Sequence, residues 1–151
     1  MIVYRITNEA YKEDISGYGA ALYGSRWNSR GVYLLYTSQF ISLSILESLV
    51  HLKRKEIPPT QYLIHIEFPD QEAISEISYK KIKKNWHKVI EYTQWLGDQF
   101  IQNKRNLVLK VPSAIVPQEN NFLLNPLHAE FKKVKIISSE LLNLDKRLTD
   151  Y

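Results

Sequence analysis

Short apolar runs recur along this chain, and they limit its fold more than any other feature of the sequence. Each run is rich in β-branched and aromatic residues and is bounded by polar or turn-forming residues, which is typical of β-strands. None of them approaches the roughly 18 residues that a membrane-spanning helix needs. They predict strands at residues 2–6, 32–37, 61–68, 107–111 and 133–138, and a strand end within 120–128 that turns at Asn125-Pro126.

Helical patterns lie between these runs. Residues 39–55 predict one helix with Ser38 as its cap, and residues 78–103 predict one or two more helices with a break near Gly97. Strands and helices in this arrangement predict a mixed α+β domain. The length of 151 residues suits a single domain over 1–151.

Two segments next to the predicted strands lack a helical pattern. Residues 70–77 are polar and predict a loop. Residues 114–117 follow Pro112, which cannot donate to a strand ladder, so they predict an edge or bulged continuation of the preceding strand.

The chain is basic, with a formal net charge of +4 and a sequence pI of about 9.2. Such a balance permits an anionic partner, namely a nucleotide, a nucleic acid or an acidic protein. Five lysines lie within residues 80–88, where apolar residues recur at helical spacing, which favours a solvated helix face. Because no motif of a DNA- or RNA-binding module accompanies them, direct nucleic-acid binding by this chain is not expected.

Cysteine usage and the N-terminus bear on where the protein works. The absence of cysteine excludes disulfides and thiol chemistry. The first residues lack the basic and apolar pattern of a signal peptide. We therefore expect a cytoplasmic protein without membrane association.

The segment ISGYGAALYGSRWNSRGVYLLYTS, residues 15–38, has the most unusual composition. It contains four of the five glycines, two arginines, a tryptophan and four tyrosines. Glycine lets a backbone approach another group closely, whereas arginine and aromatic side chains hold anions and stack on flat rings. The mixture predicts a loop that covers a flat, charged ligand.

Glu47 is the most informative of the sixteen carboxylates, since it lies inside the apolar pattern ISLSILESLV. Helical geometry places it between an apolar face and a polar edge that includes Ser48 and His51. The helix is apolar round most of its circumference and is predicted to be largely buried. A carboxylate at such a border is costly unless paired or needed, so Glu47 is either a functional group or half of a salt bridge, with Arg26 and Arg5 as candidate partners.

Other residues allow a functional and a structural interpretation. Arg26, in the motif GSRWN, is either a surface arginine or an anion-binding group, and its neighbours favour the second. Arg5 lies in the first predicted strand, either at an edge or facing a cleft. Ser113 follows a proline that breaks a strand, where its hydroxyl either satisfies the local backbone or turns into a cleft. The four histidines show no metal-ligand spacing, so no metal site is expected.

Seven motifs follow one another along nearly the whole chain: YRI at 4–6, SGYGAALYGSRWN at 16–28, GVYLLYTS at 31–38, ILESLVH at 45–51, LGDQF at 96–100, VPSAIVPQENNFLLNPLH at 111–128 and LDKRL at 144–148. This ordered set resembles the RES-domain family, which is named for an arginine, a glutamate and a serine and comprises toxins of bacterial toxin–antitoxin pairs. Two mild departures are Gly24-Ser25, where the family more often has two glycines, and Gln99, where it often has an aromatic residue.

The resemblance implies a fold similar to that of ADP-ribosyltransferase toxins, with a split, mixed β-sheet, flanking helices and an NAD+-binding cleft between the halves of the sheet. It implies cleavage of NAD+ at the nicotinamide–ribose bond, after which the ADP-ribose passes to phosphate, water or a protein. NAD+ is then a substrate, and no separate cofactor is expected. The implied partner is an Xre-like helix-turn-helix antitoxin that blocks the cleft, and a homodimer of the chain is compatible with that complex.

The same resemblance implies roles for individual residues. As a predicted catalytic residue, Glu47 would hydrogen-bond the ribose 2′-hydroxyl and stabilise positive charge on the sugar. Arg26 would hold the pyrophosphate or orient the nicotinamide half. Tyr36 would pack on the nicotinamide ring, and Ser113 would bind substrate or position Glu47. The predicted substrate-binding residues are Tyr4, Arg5, Gly24, Trp27, Asn28 and Asn125, the last of which also suits a simple Asn-Pro turn.

Two other functions compete with NAD+ degradation. The first is a protein ADP-ribosyltransferase that modifies one cellular target. The second is a non-enzymatic basic module that binds nucleic acid or an acidic partner. A metal hydrolase has no ligand set in this sequence to support it.

Overall fold

The computed structural model describes residues 1–51, 60–71 and 73–148. Within these ranges the strands form one sheet in the order β4-β5-β6-β2-β1-β3-β7, and no helix is both long and apolar enough to cross a membrane. The strands are β1 Ile2–Asn8, β2 Leu35–Ser38, β3 Gln61–Glu67, β4 Ile74–Glu76, β5 Val108–Pro112, β6 Asn120–Leu124 and β7 Lys135–Leu142. The helices are α1 Tyr18–Tyr23, α2 Ile41–His51 and α3 Ile90–Asn103, with 3₁₀ turns at Glu9–Tyr11, Trp86–Lys88, Ala129–Lys133 and Lys146–Leu148.

The sheet is mixed and nearly split. Strands β4 and β5 are parallel, and the other neighbouring pairs are antiparallel. Strands β1 and β3 pair along their whole length, whereas β1 and β2 are in register only at Tyr4 and Ser38. The halves β4-β5-β6-β2 and β1-β3-β7 are therefore joined where Tyr4 pairs with Ser38, and the two halves separate next to this pair. The expected α+β fold with a split, mixed sheet is confirmed.

Alternate residues of the central strands face two apolar clusters on opposite sides of the sheet. Val108 and Phe122 join the cluster that contains Phe68, whereas Leu109 and Leu123 join a second cluster. This is the period of two that a strand imposes on its side chains. The second cluster also holds Trp27, Trp86, Phe100 and Ile101, so it joins α3 and the loop after α1 to the sheet.

Gly97 lies inside the continuous helix α3, so the predicted break near this residue is wrong. A Cβ added to Gly97 would lie 1.7 Å from the Trp27 carbonyl oxygen. The glycine therefore allows the helix to pack directly on the backbone of the loop. From the preceding turn of α3, Thr93 donates to the Arg26 carbonyl and Gln94 donates to the Ser25 carbonyl at 2.9 Å.

The lysine-rich segment 80–88 is not a helix, contrary to the prediction. It consists of turns followed by the short 3₁₀ turn at its end. Ile82 and Trp86 are buried at a spacing of four residues, which imitates a helical pattern. Between them Asn85 has a left-handed backbone, with φ at 60°, which a continuous helix does not allow.

Two further predictions, for segments that lie next to strands, are wrong. The predicted loop 70–77 contains β4, a short strand parallel to β5; its ends are exposed, which explains its polar sequence. Residues 114–117 do not continue β5, because the chain turns after Pro112.

The segment between β2 and β3 is described only in part. The predicted helix 39–55 corresponds to α2, which begins at Ile41 after a bend at residues 39–40, and residues 52–55 lie outside the described residues. Ser38 is the last residue of β2 and does not cap α2, since its hydroxyl donates to Asn121.

Candidate active site

A cavity of about 370 Å³ lies where the halves of the sheet separate. Its walls come from β1, from the end of β2, from the polar edge of α2 and from Gln61 and Asn121 on the neighbouring strands. Tyr4, Arg5, Tyr36 and Glu47 all line it. Four of the ten predicted site residues therefore share one cavity.

The two oxygens of the Glu47 carboxylate have different surroundings. Its Oε1 accepts hydrogen bonds from Ser113 Oγ at 2.9 Å and from Asn121 Nδ2 at 2.7 Å. Its Oε2 lies 3.8 Å from His51 Nε2 and accepts no hydrogen bond from the part of the chain that the structure describes. The side chain is 21% exposed. The carboxylate is thus oriented, with one oxygen available to a ligand.

Among the described residues Glu47 does not pair with either candidate arginine, Arg26 or Arg5, and His51 Nε2 lies 3.8 Å from its Oε2 instead. Helix α2 is also less buried than expected, since Leu43 and Ser44 are its buried residues. Its outward face exposes Ile41, Leu46 and Val50.

Ser113 is fully buried behind the cavity and holds Glu47 in place. Its Oγ accepts hydrogen bonds from the N–H groups of Ile115 and Val116 at 3.0 and 3.1 Å. These contacts leave the hydroxyl proton for Glu47 Oε1. The serine therefore satisfies the local backbone, which was one interpretation from sequence, and it contacts Glu47 without itself lining the cavity.

Tyr36 presents its ring to the cavity while its hydroxyl is tied inside the protein. The hydroxyl donates to Asn28 Oδ1 at 2.7 Å and accepts from the Trp27 N–H at 3.0 Å. Burial raises the pKa of the Tyr36 phenol well above its ordinary value. The phenol therefore stays neutral and serves as a support for the loop after α1.

Trp27 and Asn28 lie inside that loop and do not line the cavity. Trp27 is buried with its ring centroid 5.5 Å from that of Trp86. The amide nitrogen of Asn28 donates to the carbonyls of Ala20, Ser29 and Val32 at 2.9, 3.2 and 2.9 Å. Both side chains shape the loop from within.

Arg5 and Tyr4 bring cationic and aromatic groups to the cavity from β1. One guanidinium nitrogen of Arg5 donates to the Asp14 carbonyl. Burial lowers the pKa of Arg5, and the Asp14 carboxylate partly opposes this effect. The ring of Tyr4 meets His65 edge-on at 5.1 Å between centroids.

Arg26 lies outside the cavity lining. Its Nη1 donates to the His87 carbonyl at 2.8 Å, and its guanidinium lies 5.7 Å from the ring centroid of Trp86. Gly24, which precedes it, has φ 70° and ψ 160°, a conformation confined almost entirely to glycine. Ser25 does line the cavity, so the loop reaches it one residue before Arg26.

Asn125 is buried away from the cavity. Its Oδ1 accepts from the Leu127 N–H at 2.9 Å, and its Nδ2 donates to the Ile101 carbonyl at 3.2 Å. This is an Asx turn, so the turn predicted at Asn125-Pro126 is confirmed.

Sequence analysis missed two residues that organise the site. Asn121 contacts Glu47, and Asp98 holds the loop by accepting from the Ser29 N–H at 2.9 Å and from its hydroxyl at 2.5 Å. Both lie within motifs that carried the family resemblance, which was the available signal. In the part of the chain that is described, no three His, Cys, Asp or Glu side chains are grouped to hold a metal.

A split, mixed sheet that opens at a carboxylate-lined cavity defines an α+β protein with the geometry of an active site. The family model described as the RES domain matches residues 2–145. The chain belongs to the RES domain family, as the motifs indicated.

The curated relatives bear related names. A protein of Photorhabdus laumondii named Toxin Res is 34% identical over 152 residues, covering 98% of this chain and 97% of the relative. A Sphingobium protein named Prs ADP-ribosylating toxin is 37% identical over 127 residues, covering 82% of this chain and 79% of the relative. A protein of Yersinia enterocolitica, also named Toxin Res, is 36% identical over 135 residues, covering 87% of this chain and 88% of the relative.

A solved structure supports the fold. The crystal structure of the M. tuberculosis MbcT-MbcA toxin-antitoxin complex contains a chain that superposes with a TM-score of 0.70 at 16% identity. The superposition covers 94% of this chain and 84% of that chain. At this identity the likeness shows a shared fold.

Proposed function

We propose that this chain is the toxin of a bacterial toxin–antitoxin pair and that it degrades NAD+ by cleaving the nicotinamide–ribose bond. The observation that carries the proposal is the orientation of Glu47 in the cavity wall, where Oε1 is held by two donors, and Oε2 accepts no hydrogen bond from the described residues and lies 3.8 Å from His51 Nε2. Membership of the RES domain family and the names of the relatives support it.

The proposed chemistry needs one fixed carboxylate. The bond between ribose C1′ and the nicotinamide nitrogen breaks, and nicotinamide leaves as a neutral ring with the bonding electron pair. Positive charge then develops on the ribose, as in glycoside cleavage. Glu47 stabilises that charge and accepts a hydrogen bond from the 2′-hydroxyl through Oε2. Because this charge grows only during the reaction, the stabilisation accelerates the chemical step.

The remaining roles follow from the walls of the cavity. The Tyr36 ring packs on nicotinamide, and Tyr4 and Arg5 contact the substrate from β1. Arg26 holds the pyrophosphate, for which it exchanges the His87 carbonyl for phosphate oxygens. An acceptor then attacks C1′, and when water is the acceptor it loses a proton to solvent.

The direct experiment is incubation of the purified chain with NAD+ in phosphate-containing and phosphate-free buffers. We expect nicotinamide to appear in step with the loss of NAD+, and the sugar product identifies phosphate or water as acceptor. A folded chain that releases no nicotinamide, yet binds nucleic acid in a salt-dependent manner, would favour a non-enzymatic basic module.

A second candidate is transfer of ADP-ribose to a protein, which the name of the Sphingobium relative favours. The two candidates share the cleavage step and differ in the acceptor. NAD+ labelled in its adenylate half, incubated with the chain and a cell lysate, separates them. A labelled protein band supports transfer, whereas label only in small products supports degradation.

The proposed partner is an Xre-like helix-turn-helix antitoxin that covers the cavity, and the toxin–antitoxin complex that shares this fold supports such a partner. Expression of the chain alone in a bacterial cytoplasm should deplete NAD+ and arrest growth, and co-expression of the antitoxin should relieve both effects. The mass of the purified complex would show whether it contains a homodimer of this chain. Growth arrest at normal NAD+ levels would favour a protein target.

A further inference from the structure

We propose that Asn121 is a positioning residue that aims the Glu47 carboxylate, with Ser38 fixing the amide in turn. This inference rests on the proposed function, because it concerns the group that stabilises the reacting sugar. Nothing in the sequence patterns singled out Asn121. Its role follows from three side chains that meet on one side of the cavity.

The hydrogen bonds define one direction for the amide. Asn121 Nδ2 donates to Glu47 Oε1 at 2.7 Å, and Asn121 Oδ1 accepts from Ser38 Oγ at 2.8 Å. An ionised carboxylate only accepts hydrogen bonds, so the amide must present its nitrogen to Glu47 and its oxygen to Ser38. The donor is therefore oriented before any substrate arrives.

The backbone holds this arrangement where the halves of the sheet meet. Asn121 on β6 is in register with Ser38 on β2, and Ser38 is also the single point at which β2 is in register with β1. The Asn121 amide thus links Glu47 on α2 to Ser38, the residue at which the two halves of the sheet are joined. A shift of β6 would move the donor and rotate the carboxylate.

Both donors to Glu47 converge on the same oxygen. Ser113 and Asn121 bind Oε1, which fixes the rotation of the carboxylate plane and leaves Oε2 toward the ligand. Two donors on one oxygen orient the other oxygen without occupying it.

The first test is Asn121→Ala, assayed by nicotinamide release over a range of NAD+ concentrations. Loss of a hydrogen bond to a charged group should lower kcat roughly tenfold to a hundredfold. KM should change little, because Glu47 acts on charge that appears in the transition state. Asn120→Ala is the matched control: Asn120 precedes Asn121 on the same strand but does not line the cavity, so this variant should keep wild-type kinetics.

The second test is Asn121→Asp, which keeps the size of the side chain and places a carboxylate against Glu47. Two carboxylates this close share a proton, which raises the apparent pKa of the pair. The acid limb of the pH–rate profile should move to higher pH than in the wild type, and activity should recover as the pH rises. A shift of this limb shows that residue 121 contacts the Glu47 carboxylate in the active protein, and the fall in kcat of Asn121→Ala shows that the contact positions it. Ser38→Ala should lower kcat less than Asn121→Ala, because it removes only the support of the amide.

The outcomes separate this inference from the proposed function. If Glu47→Gln is inactive while Asn121→Ala keeps kcat within twofold of the wild type, the positioning role is overturned and the function stands. If the wild-type chain releases no nicotinamide, the proposed function fails and the role of Asn121 with it. Should Asn121→Ala unfold, Ser38→Ala decides: a lower kcat at an unchanged KM supports the role, and a kcat within twofold of the wild type overturns it.

Discussion

Ser113 and Glu47, which lie 66 residues apart in the chain, are joined by a hydrogen bond of 2.9 Å between Oγ and Oε1. The bond links the turn after β5 to helix α2, and the same Oγ accepts two backbone N–H groups. One hydroxyl therefore connects the local turn to the proposed catalytic carboxylate.

Replacement of this hydroxyl should affect stability and activity together. In Ser113→Ala, two partly buried N–H groups lose their acceptor and Glu47 loses one donor, so we expect destabilisation by about 1–3 kcal/mol. Nicotinamide release should fall roughly tenfold or more, as when one donor to a charged group is removed. Thermal unfolding and the release assay measure the two effects, with the exposed Ser139→Ala as control. A stable variant with full activity would separate Ser113 from the site.

The close approach of α3 to the loop gives a prediction about stability alone. Gly97→Ala places a Cβ 1.7 Å from the Trp27 carbonyl oxygen, so the helix or the loop must move. We expect a loss of about 1–3 kcal/mol or more, as in other overpacked sites. Gly19→Ala in α1 is the matched control, since its added Cβ meets no atom within 4 Å. Equal melting temperatures for the two variants would argue against this packing.

The buried Tyr36 hydroxyl predicts a dependence of stability on pH. Burial raises the pKa of Tyr36 above its ordinary value of 10.0, so the folded protein retains a proton that the unfolded chain releases. The raised pKa of Tyr36 contributes stability that is fully present below about pH 10 and is lost as the pH rises towards the pKa of Tyr36 in the folded state. Tyr36→Phe lacks this contribution and leaves Asn28 Oδ1 without its donor, which should cost about 1–3 kcal/mol near neutral pH.

The measurement is the free energy of unfolding of the wild type and of Tyr36→Phe between pH 7 and pH 11. The difference between the two proteins should narrow above about pH 10. The exposed Tyr23→Phe is the control and should show no such change. A constant difference for Tyr36→Phe would mean that the phenol ionises equally in both states.

Arg26 gives a prediction in which binding and stability can be separated. In the proposed function it holds the pyrophosphate, so Arg26→Ala should raise the KM for NAD+ and lower kcat/KM. Arg26→Lys keeps the charge without the two-pronged geometry and should recover only part of the loss. Unchanged kinetics with a lower melting temperature would assign Arg26 to its contacts with His87 and Trp86 alone.

The fold was largely predictable because its buried strands have clear patterns. Strand β3 alternates and β5 is apolar, so both were placed within a residue or two. Strand β4 was missed because an exposed edge strand of three residues has no apolar pattern. The lysine-rich segment was taken for a helix because two buried residues imitate helical spacing, and only the left-handed Asn85 shows otherwise.

The candidate site was predictable where one residue conflicted with its surroundings. A glutamate in an apolar helical pattern is such a conflict, which is how Glu47 was found. Asn121 is an ordinary polar residue on a strand, and its importance appears only once β6 is placed beside α2. The direction in which the Arg26 side chain points was also not predictable, because it depends on a tertiary contact with the His87 carbonyl.

The central claim is that the negative charge of Glu47 stabilises the sugar as nicotinamide leaves. Glu47→Gln keeps the shape of the side chain and removes the charge, while the exposed Glu67→Gln makes the same change at the far end of β3. In a nicotinamide-release assay at saturating NAD+, we predict that Glu47→Gln is slower than the wild type by roughly 100-fold or more and that Glu67→Gln matches the wild type. Nicotinamide release at the wild-type rate by folded Glu47→Gln protein would contradict the account.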